Sequence, residues 1–344
     1  MKKLDKKTWL IIWSILLGVV LLTIVFINIP VKQAVSYFLA AKLEYVILFL
    51  LVSFFIQFFA GWRWWVILKS QGHPLNFWTI SVAYKYAGYA VSFLTPGPRV
   101  GGEPLRAGLL TKHKIKFAKG LSSVVIDKSI EISLTGIFFI AGCVTILINF
   151  ALPDEFKALI IILSAAIILG IVYFYQQMLK DETFFLKVCK FCKLNKIKNF
   201  KKWEKSIEEF ENHIRTFYKR DKKEFFYACL LSTLSWGLMF LEYKFALLIL
   251  GFDVSFHTIF FIFSFVGMAY LIPIPLALGT LEAGQISVFK IFNMDGAAGV
   301  ALSMLIRGRD LLWTFVGLLI LSYYGVRYAG NKKRKKNRKT IAFI

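Results

Sequence analysis

Runs of apolar residues long enough to cross a lipid bilayer recur along this chain. The first run extends from Trp9 to Ile29 without a charged side chain, and about 20 such residues span the hydrocarbon core as a helix. That run is too long for the core of a signal peptide, so we expect it to be retained. Hydrophobic residues make up 58% of the sequence. A soluble domain does not tolerate so many apolar runs, and the pattern predicts an all-α polytopic membrane protein.

The basic residues fall in a few segments between the apolar runs. The formal net charge is +23, but its division among loops does not indicate a nucleic-acid partner. Lys and Arg are enriched on the cytoplasmic side of membrane proteins. Four segments are therefore predicted to be cytoplasmic: Met1 to Lys7, Thr111 to Gly120, Lys180 to Glu224 and Lys332 to Lys339. Both termini are then cytoplasmic, in a multi-pass protein of the plasma membrane.

The alternation of apolar runs and basic segments predicts a topology. Six runs are expected to cross the membrane fully: Trp9 to Ile29, Tyr45 to Leu68, Leu121 to Leu152, Ala158 to Leu179, Phe225 to Leu250 and Ala297 to Gly325. Two further stretches must enter and return on one side if the basic segments are to stay together. These are predicted re-entrant hairpins, with Phe77 to Leu110 entered from the cytoplasm and His257 to Phe292 entered from outside.

The stretch TPGPRVGGEPLRAGLL, from Thr95 to Leu110, breaks the apolar pattern. It combines residues that interrupt a helix with charged residues: Pro96, Pro98, Gly101 and Gly102, then Arg99, Glu103 and Arg106. Broken backbone and charge survive at membrane depth only inside protein or beside a water-filled cavity. The stretch therefore indicates a functional site at the tip of the first hairpin. The alternative is a cytoplasmic loop with solvated charges.

A similar stretch occurs in the second half of the chain. Pro273, Pro275 and Gly279 repeat the spacing of Pro96, Pro98 and Gly102, with Glu282 displaced by two residues relative to Glu103. Broken segments at corresponding positions of two halves are typical of inverted-repeat transporters. The alternative is coincidence between two short Pro- and Gly-rich stretches.

The run PGPRVGGEPLRAGLL, the basic segment after it and SSVVIDKSIEI resemble the lysylphosphatidylglycerol synthase transmembrane family, and PIPLALGTLEAG is similar to its second signature. That family includes the flippase-like membrane half of the multiple peptide resistance factor and short stand-alone proteins. The resemblance covers nearly the whole chain and implies lipid translocation. The full-length synthases also carry a soluble aminoacyl-transferase domain, for which we find no counterpart in this sequence.

The charges within apolar segments are the candidate substrate-binding residues. Arg99 and Arg106 offer the paired donors that grip a phosphate, and Glu103 holds the arginines in place or binds a cationic headgroup. Asp127 and Glu131 are four residues apart, hence on one helical face, and one of them is expected to neutralise Arg106 or Lys128.

Further charges interrupt later or neighbouring apolar segments. Glu282 follows the second broken stretch, and Arg307, Arg309 and Asp310 lie within the last span. They line the same site or, alternatively, form internal ion pairs that only lock helices. Lys85 is expected to extend to the interface or to pair with an acid.

The sequence also predicts a division into domains. A flippase-like membrane domain covers 1–330, with halves at 1–179 and 225–330 separated by a basic cytoplasmic segment at 180–224, and a basic tail follows at 331–344. Within the segment, apolar residues at helical spacing predict an amphipathic helix: Phe200, Trp203, Ile207, Phe210, Ile214 and Phe217. This helix lies on the anionic inner leaflet or packs on the protein itself.

No cofactor or metal is predicted. Cys189 and Cys192 form a lone CxxC, which is too few ligands for a structural zinc site. The phosphate-binding loop, HExxH, nucleophile-elbow and dinucleotide motifs are absent from the sequence.

We interpret the chain as a translocase for a lipid or lipid-linked molecule that works by alternating access. The headgroup would be anionic or aminoacylated, and the oligomeric state is left open. Two other functions remain: a phosphatidylglycerol lysyltransferase, or a non-transporting membrane partner of a soluble synthase or glycosyltransferase.

Overall fold

A computed structural model describes residues 36–73, 75–95, 101–149, 153–180, 183–191, 200–271 and 278–341. These residues form helices and connecting turns without a strand, so the prediction of an all-α chain is confirmed for them. Several predicted features lie outside the described residues: the Trp9 to Ile29 span, Pro96, Pro98, Arg99, Cys192, Pro273 and Pro275.

We number the α-helices in chain order. The N-terminal part contains α1 (Leu43–Ser70), a π-helix (Thr79–Tyr84) that continues into α2 (Lys85–Leu94), α3 (Gly102–Leu110), α4 (Phe117–Asn149) and α5 (Asp154–Leu179). A short 3-10 helix, Thr111–His113, follows α3. Two helices come next, the short α6 (Phe184–Phe191) and the polar α7 (Phe200–Arg220). The C-terminal part contains α8 (Lys222–Ile249), α9 (Phe256–Leu271), α10 (Thr280–Ile291) and α11 (Gly296–Ile341).

Four of the described helices, α1, α4, α5 and α8, are long and apolar enough to cross a membrane. They coincide with four of the predicted spans, and two helices extend beyond the residues predicted to span the membrane. Asp154 and Glu155, which lie between the predicted spans Leu121 to Leu152 and Ala158 to Leu179, are not in a loop but form the first turn of α5. The positive end of the helix dipole favours acidic side chains there. The last helix continues beyond the expected end at Gly325 as far as Ile341.

Glycine determines how α3 and α10 begin. Gly102 N–H donates to Ser92 Oγ of α2 at 2.9 Å, and a Cβ at this position would lie 2.0 Å from Gly88 O. Only glycine permits that approach. Gly279 precedes α10 with a φ of +78°, and its N–H donates to Glu282 Oε2 at 2.9 Å. Each helix therefore needs a glycine where the chain turns into it.

The helices pack in the same order in both parts of the chain. In the N-terminal part α2 packs on α3 and α3 packs on α4, and in the C-terminal part α9 packs on α10 and α10 packs on α11. The parts interlock because α1 runs along α8, α2 packs on α11 and α9 packs on α4. If α1, α2, α3 and α4 are matched in order with α8, α9, α10 and α11, every one of these contacts corresponds to a contact between the matched helices.

The predicted amphipathic helix is α7, and its apolar face packs on the protein. Phe210, Ile214 and Phe217 are buried in a cluster with residues of α1, α4, α5 and α8. Tyr218 Oη lies 2.6 Å from Ser129 Oγ of α4. Trp203, predicted on the same face, remains 58% exposed. The structure therefore favours packing on the protein over attachment to the inner leaflet.

We expect Phe217→Ala to destabilise the protein by about 3–5 kcal/mol, because the buried ring leaves a cavity. Trp203→Ala, on the exposed part of α7, should change the free energy of unfolding by about 0.5 kcal/mol or less. Unfolding of both purified variants in detergent, followed by circular dichroism, measures the difference. Equal effects would contradict the packed arrangement of α7.

Candidate functional site

One buried carboxylate contacts three cations that come from three different helices. Asp127 Oδ1 of α4 lies 2.6 Å from Arg63 Nε of α1. Its Oδ2 lies 2.7 Å from Arg106 Nη2 of α3 and 3.5 Å from Lys85 Nζ of α2. Such a concentration of charge is costly in an apolar environment unless the groups are paired. We call the following residues the first cluster: Arg63, Lys85, Arg106, Asp127, Lys128 and Glu131.

Glu131 extends the first cluster along the same face of α4. Its Oε2 lies 2.8 Å from Arg63 Nη2, and its Oε1 lies 2.7 Å from Lys128 Nζ. Arg63 Nη1 also donates to Ser232 Oγ of α8 at 2.7 Å. The sequence predicts that one of these two acids neutralises Arg106 or Lys128. In the structure Asp127 pairs with Arg106, and Glu131 pairs with Lys128.

Arg106 is held by an aromatic ring as well as by an acid. Its guanidinium carbon lies 4.0 Å from the centre of the Trp64 ring, which is the range of a cation–π contact. Glu103 and Asp127 are both predicted partners of Arg106, and the ion pair in the structure is with Asp127. Arg106 Nε and Glu103 Oε2 are buried without a hydrogen-bond partner in the part of the chain that the structure describes. Unpaired buried donors and acceptors of this kind are available to a ligand.

A second group of charges lies on α8, α10 and α11, with buried acids and half-buried arginines. Glu282 Oε1 lies 2.6 Å from Arg307 Nε. Arg309 pairs with Glu242 of α8 through Nη1 and with Asp310 through Nη2, the latter at 2.8 Å. We call these five residues the second cluster. The charges that interrupt the last predicted span therefore form ion pairs within the protein.

Helix α2 joins the two clusters. Lys85 contacts Asp127 of the first cluster, and Tyr89 Oη donates to Asp310 Oδ1 of the second at 2.7 Å. Lys85 and Tyr89 are four residues apart, so they share a face of α2 and their Cβ atoms are about 6 Å apart. The two clusters are therefore neighbours within one buried charged site.

Sequence reasoning missed two residues of this site. Arg63 is flanked by Trp62, Trp64 and Trp65, which indicates an interfacial position, yet it is only 1% exposed. Glu242 lies near the outer end of the predicted span from Phe225 to Leu250 and is equally buried. The available signal for both was a charge isolated within an apolar run.

The structure describes only some of the remaining predicted site residues. Gly101 directly precedes α3. The expected phosphate contact of Arg99 falls outside the described residues and stays a prediction. Within the described ranges, no group of three His, Cys, Asp or Glu side chains is placed to hold a metal ion.

The family described as lysylphosphatidylglycerol synthase TM region matches residues 11–318. The chain belongs to this family. The resemblance carried by the two Pro- and Gly-rich stretches is therefore confirmed. The match includes α1 to α10 and every residue of both clusters.

Three relatives of the chain are named UPF0104 membrane proteins. The one from Methanocaldococcus jannaschii is 26% identical, with the alignment covering 98% of this chain and 99% of the relative. The one from Pyrococcus horikoshii is 24% identical over 85% of this chain and 90% of the relative. The one from Methanothermobacter thermautotrophicus is 22% identical over 90% and 94%. With its apolar helices, this member of the family is an integral membrane protein.

Proposed function

We propose that this protein translocates a lipid or lipid-linked molecule across the membrane by alternating access. The observation that carries the proposal is the contact of Asp127 with three cations from three helices, next to a second buried cluster. Buried charge of this kind in a membrane protein is a functional-site hypothesis by default. A purely structural core would be served as well by apolar side chains.

The first cluster is suited to an anionic headgroup. A phosphate can replace Asp127 as the partner of Arg106, because a guanidinium binds phosphate through two parallel N–H groups. Arg106 Nε supplies one donor that has no partner among the described residues. Lys85 sits 3.5 Å from the same carboxylate oxygen and adds a second cation. Replacement of the Asp127 carboxylate by the phosphate keeps Arg106 paired with an anion while the headgroup crosses the membrane.

The helix pairs α2–α3 and α9–α10 are the proposed re-entrant hairpins, opposed to each other and accompanied by six full spans. Two observations support this arrangement: the recurring packing order and the glycine at the start of both α3 and α10. Half-helices at corresponding positions of an inverted repeat meet near the middle of the bilayer. Rocking of one half against the other would then open the charged site to each leaflet in turn.

The topology predicts which positions are reached from outside the cell. In the plasma membrane with both termini cytoplasmic, single cysteines at Asp154 and Asp253 should react with an impermeant thiol reagent added outside. A cysteine at Lys116 should react only after the membrane is opened, because its segment is rich in Lys. Outside labelling at Lys116 would overturn the orientation proposed for α3 and α4.

Reconstitution tests the function directly. The purified full chain is placed in vesicles with a panel of fluorescent lipids, and loss of leaflet asymmetry is followed by quenching. We expect faster exchange for lipids with an anionic or aminoacylated headgroup. Formation of lysyl-lipid from charged transfer RNA would instead establish a lysyltransferase. A co-purifying soluble synthase, without lipid movement in its presence or absence, would establish a membrane partner.

A further inference from the structure

A lateral groove lies between the π-helix and α11. It has a volume of about 510 Å³, within the range of ligand sites. Its lining is almost entirely apolar and includes Trp78, Thr79, Val82, Ala83, Leu319 and Tyr323. Trp78 and Tyr323 are among the most exposed large side chains of the bundle. The groove is therefore open along the side of the protein.

One wall of the groove is a π-helix, Thr79–Tyr84, whereas the long helices that the structure describes are α-helical. π-helical turns are rare and are frequently found at functional sites. The π-helix runs without interruption into α2, whose first residue is Lys85. One continuous helix thus lines the groove with Val82 and Ala83 and reaches Asp127 with Lys85.

A cation lies at one end of the groove. Lys112 Nζ is 5.9 Å from the centre of the ring of Tyr324, a lining residue. His113 Nε2 lies 3.0 Å from Tyr84 Oη on the π-helix. Burial and the charge of Lys112 lower the pKa of His113 below its usual value. Lys112 therefore places a positive charge at this end of the groove.

We propose that the groove binds an acyl chain of an anionic membrane lipid, with its headgroup at Lys112, and that it is the lateral route to the first cluster. The second part rests on the proposed translocase function. An apolar, open groove that ends at an exposed lysine complements a molecule with an apolar tail and an anionic head. The aromatic residues at its mouth are typical of the interface between membrane and water.

Photolabelling tests this site without any transport measurement. The full chain is placed in nanodiscs of phosphatidylcholine that contain phosphatidylglycerol or phosphatidylcholine with a diazirine on the acyl chain. Labelled peptides are identified by mass spectrometry. We expect the anionic probe to label the π-helix and the segment around Leu319 more than the neutral probe does.

Two pairs of variants locate the two ends of the lipid. Leu319→Trp fills the groove and should reduce labelling severalfold, whereas Leu311→Trp, on the same helix and also exposed, should not. Lys112→Gln should reduce labelling by the anionic probe about fivefold and leave the neutral probe unchanged. Lys69→Gln removes a comparable lysine–aromatic contact, which lies 5.0 Å from Trp65, and should have no effect.

Three results would overturn the proposed groove: equal labelling by both probes, labelling that Leu319→Trp does not reduce, or disulfide-linked dimers of Leu319→Cys without lipid labelling. The last result would assign the groove to a second copy of the chain. Labelling of the groove in a protein that moves no lipid would leave the binding site standing and refute the translocase. Lipid movement without groove labelling would refute the binding site and leave the translocase standing.

Discussion

Replacement of Asp127 by asparagine is expected to destabilise the protein by about 3–5 kcal/mol. The amide keeps the shape of the side chain but leaves Arg63, Lys85 and Arg106 around a neutral group in a buried site. Asp253→Asn is the matched control, because Asp253 also pairs with a lysine but is exposed. An exposed pair contributes about 1 kcal/mol or less. Unfolding of both variants in denaturing detergent gives the two free energies.

A double-mutant cycle separates this electrostatic explanation from general disruption of the core. Lys85→Met removes one of the three cations, so in the Asp127→Asn background it should cost less than in the native protein. Residues within one ion-pair network commonly show coupling of about 0.5–3 kcal/mol. Additive effects, or an Asp127→Asn variant as stable as Asp253→Asn, would contradict the role given to Asp127.

Arg106→Lys is expected to abolish most lipid exchange while the protein remains folded. Lysine preserves the charge next to Asp127 but loses the planar fork that binds a phosphate through two N–H groups. It also loses the contact of the guanidinium with the Trp64 ring. A loss of one charge-assisted hydrogen bond corresponds to about 1.5–3 kcal/mol, or a fall of roughly tenfold or more in the rate if it is made in the transition state.

The effect of Arg106→Lys on lipid transport has to be compared with its effect on stability. Lipid exchange and thermal melting are measured on the same preparations, with Lys116→Gln as a control at an exposed ion pair. If Arg106 only braces α3, transport should fall in proportion to stability across the variants. Transport that survives in every folded variant, including Arg106→Lys, would refute the assignment of Arg106 to the headgroup.

The sequence alone predicts much of the helical structure. Four spans are predicted by the length of their apolar runs. The helices α3 and α10, each of which begins at a glycine, come directly after Pro- and Gly-rich stretches of the sequence. The spacing of Asp127 and Glu131 correctly places both on one face. These features are local, because they depend on residues within a few turns of one another.

The composition of the charged site could not be predicted to the same extent. Arg63 and Asp127 are 64 residues apart, and Arg309 and Glu242 are 67 apart. Periodicity indicates which residues share a helix face, but it does not indicate which helices become neighbours. For that reason the sequence indicates an interfacial Arg63, and it leaves open whether Glu103, Asp127 or Glu131 pairs with Arg106.

Access to the first cluster from both sides of the membrane tests the proposed mechanism most directly. Ser232 is buried and contacts Arg63, so Ser232→Cys in a protein without its natural cysteines places a small thiol at the site. Trp203→Cys and Asp253→Cys report the two faces separately. With a transported lipid present, alternating access predicts that an impermeant thiol reagent modifies Ser232→Cys slowly from either side. Modification from one side only, or from neither, would contradict it.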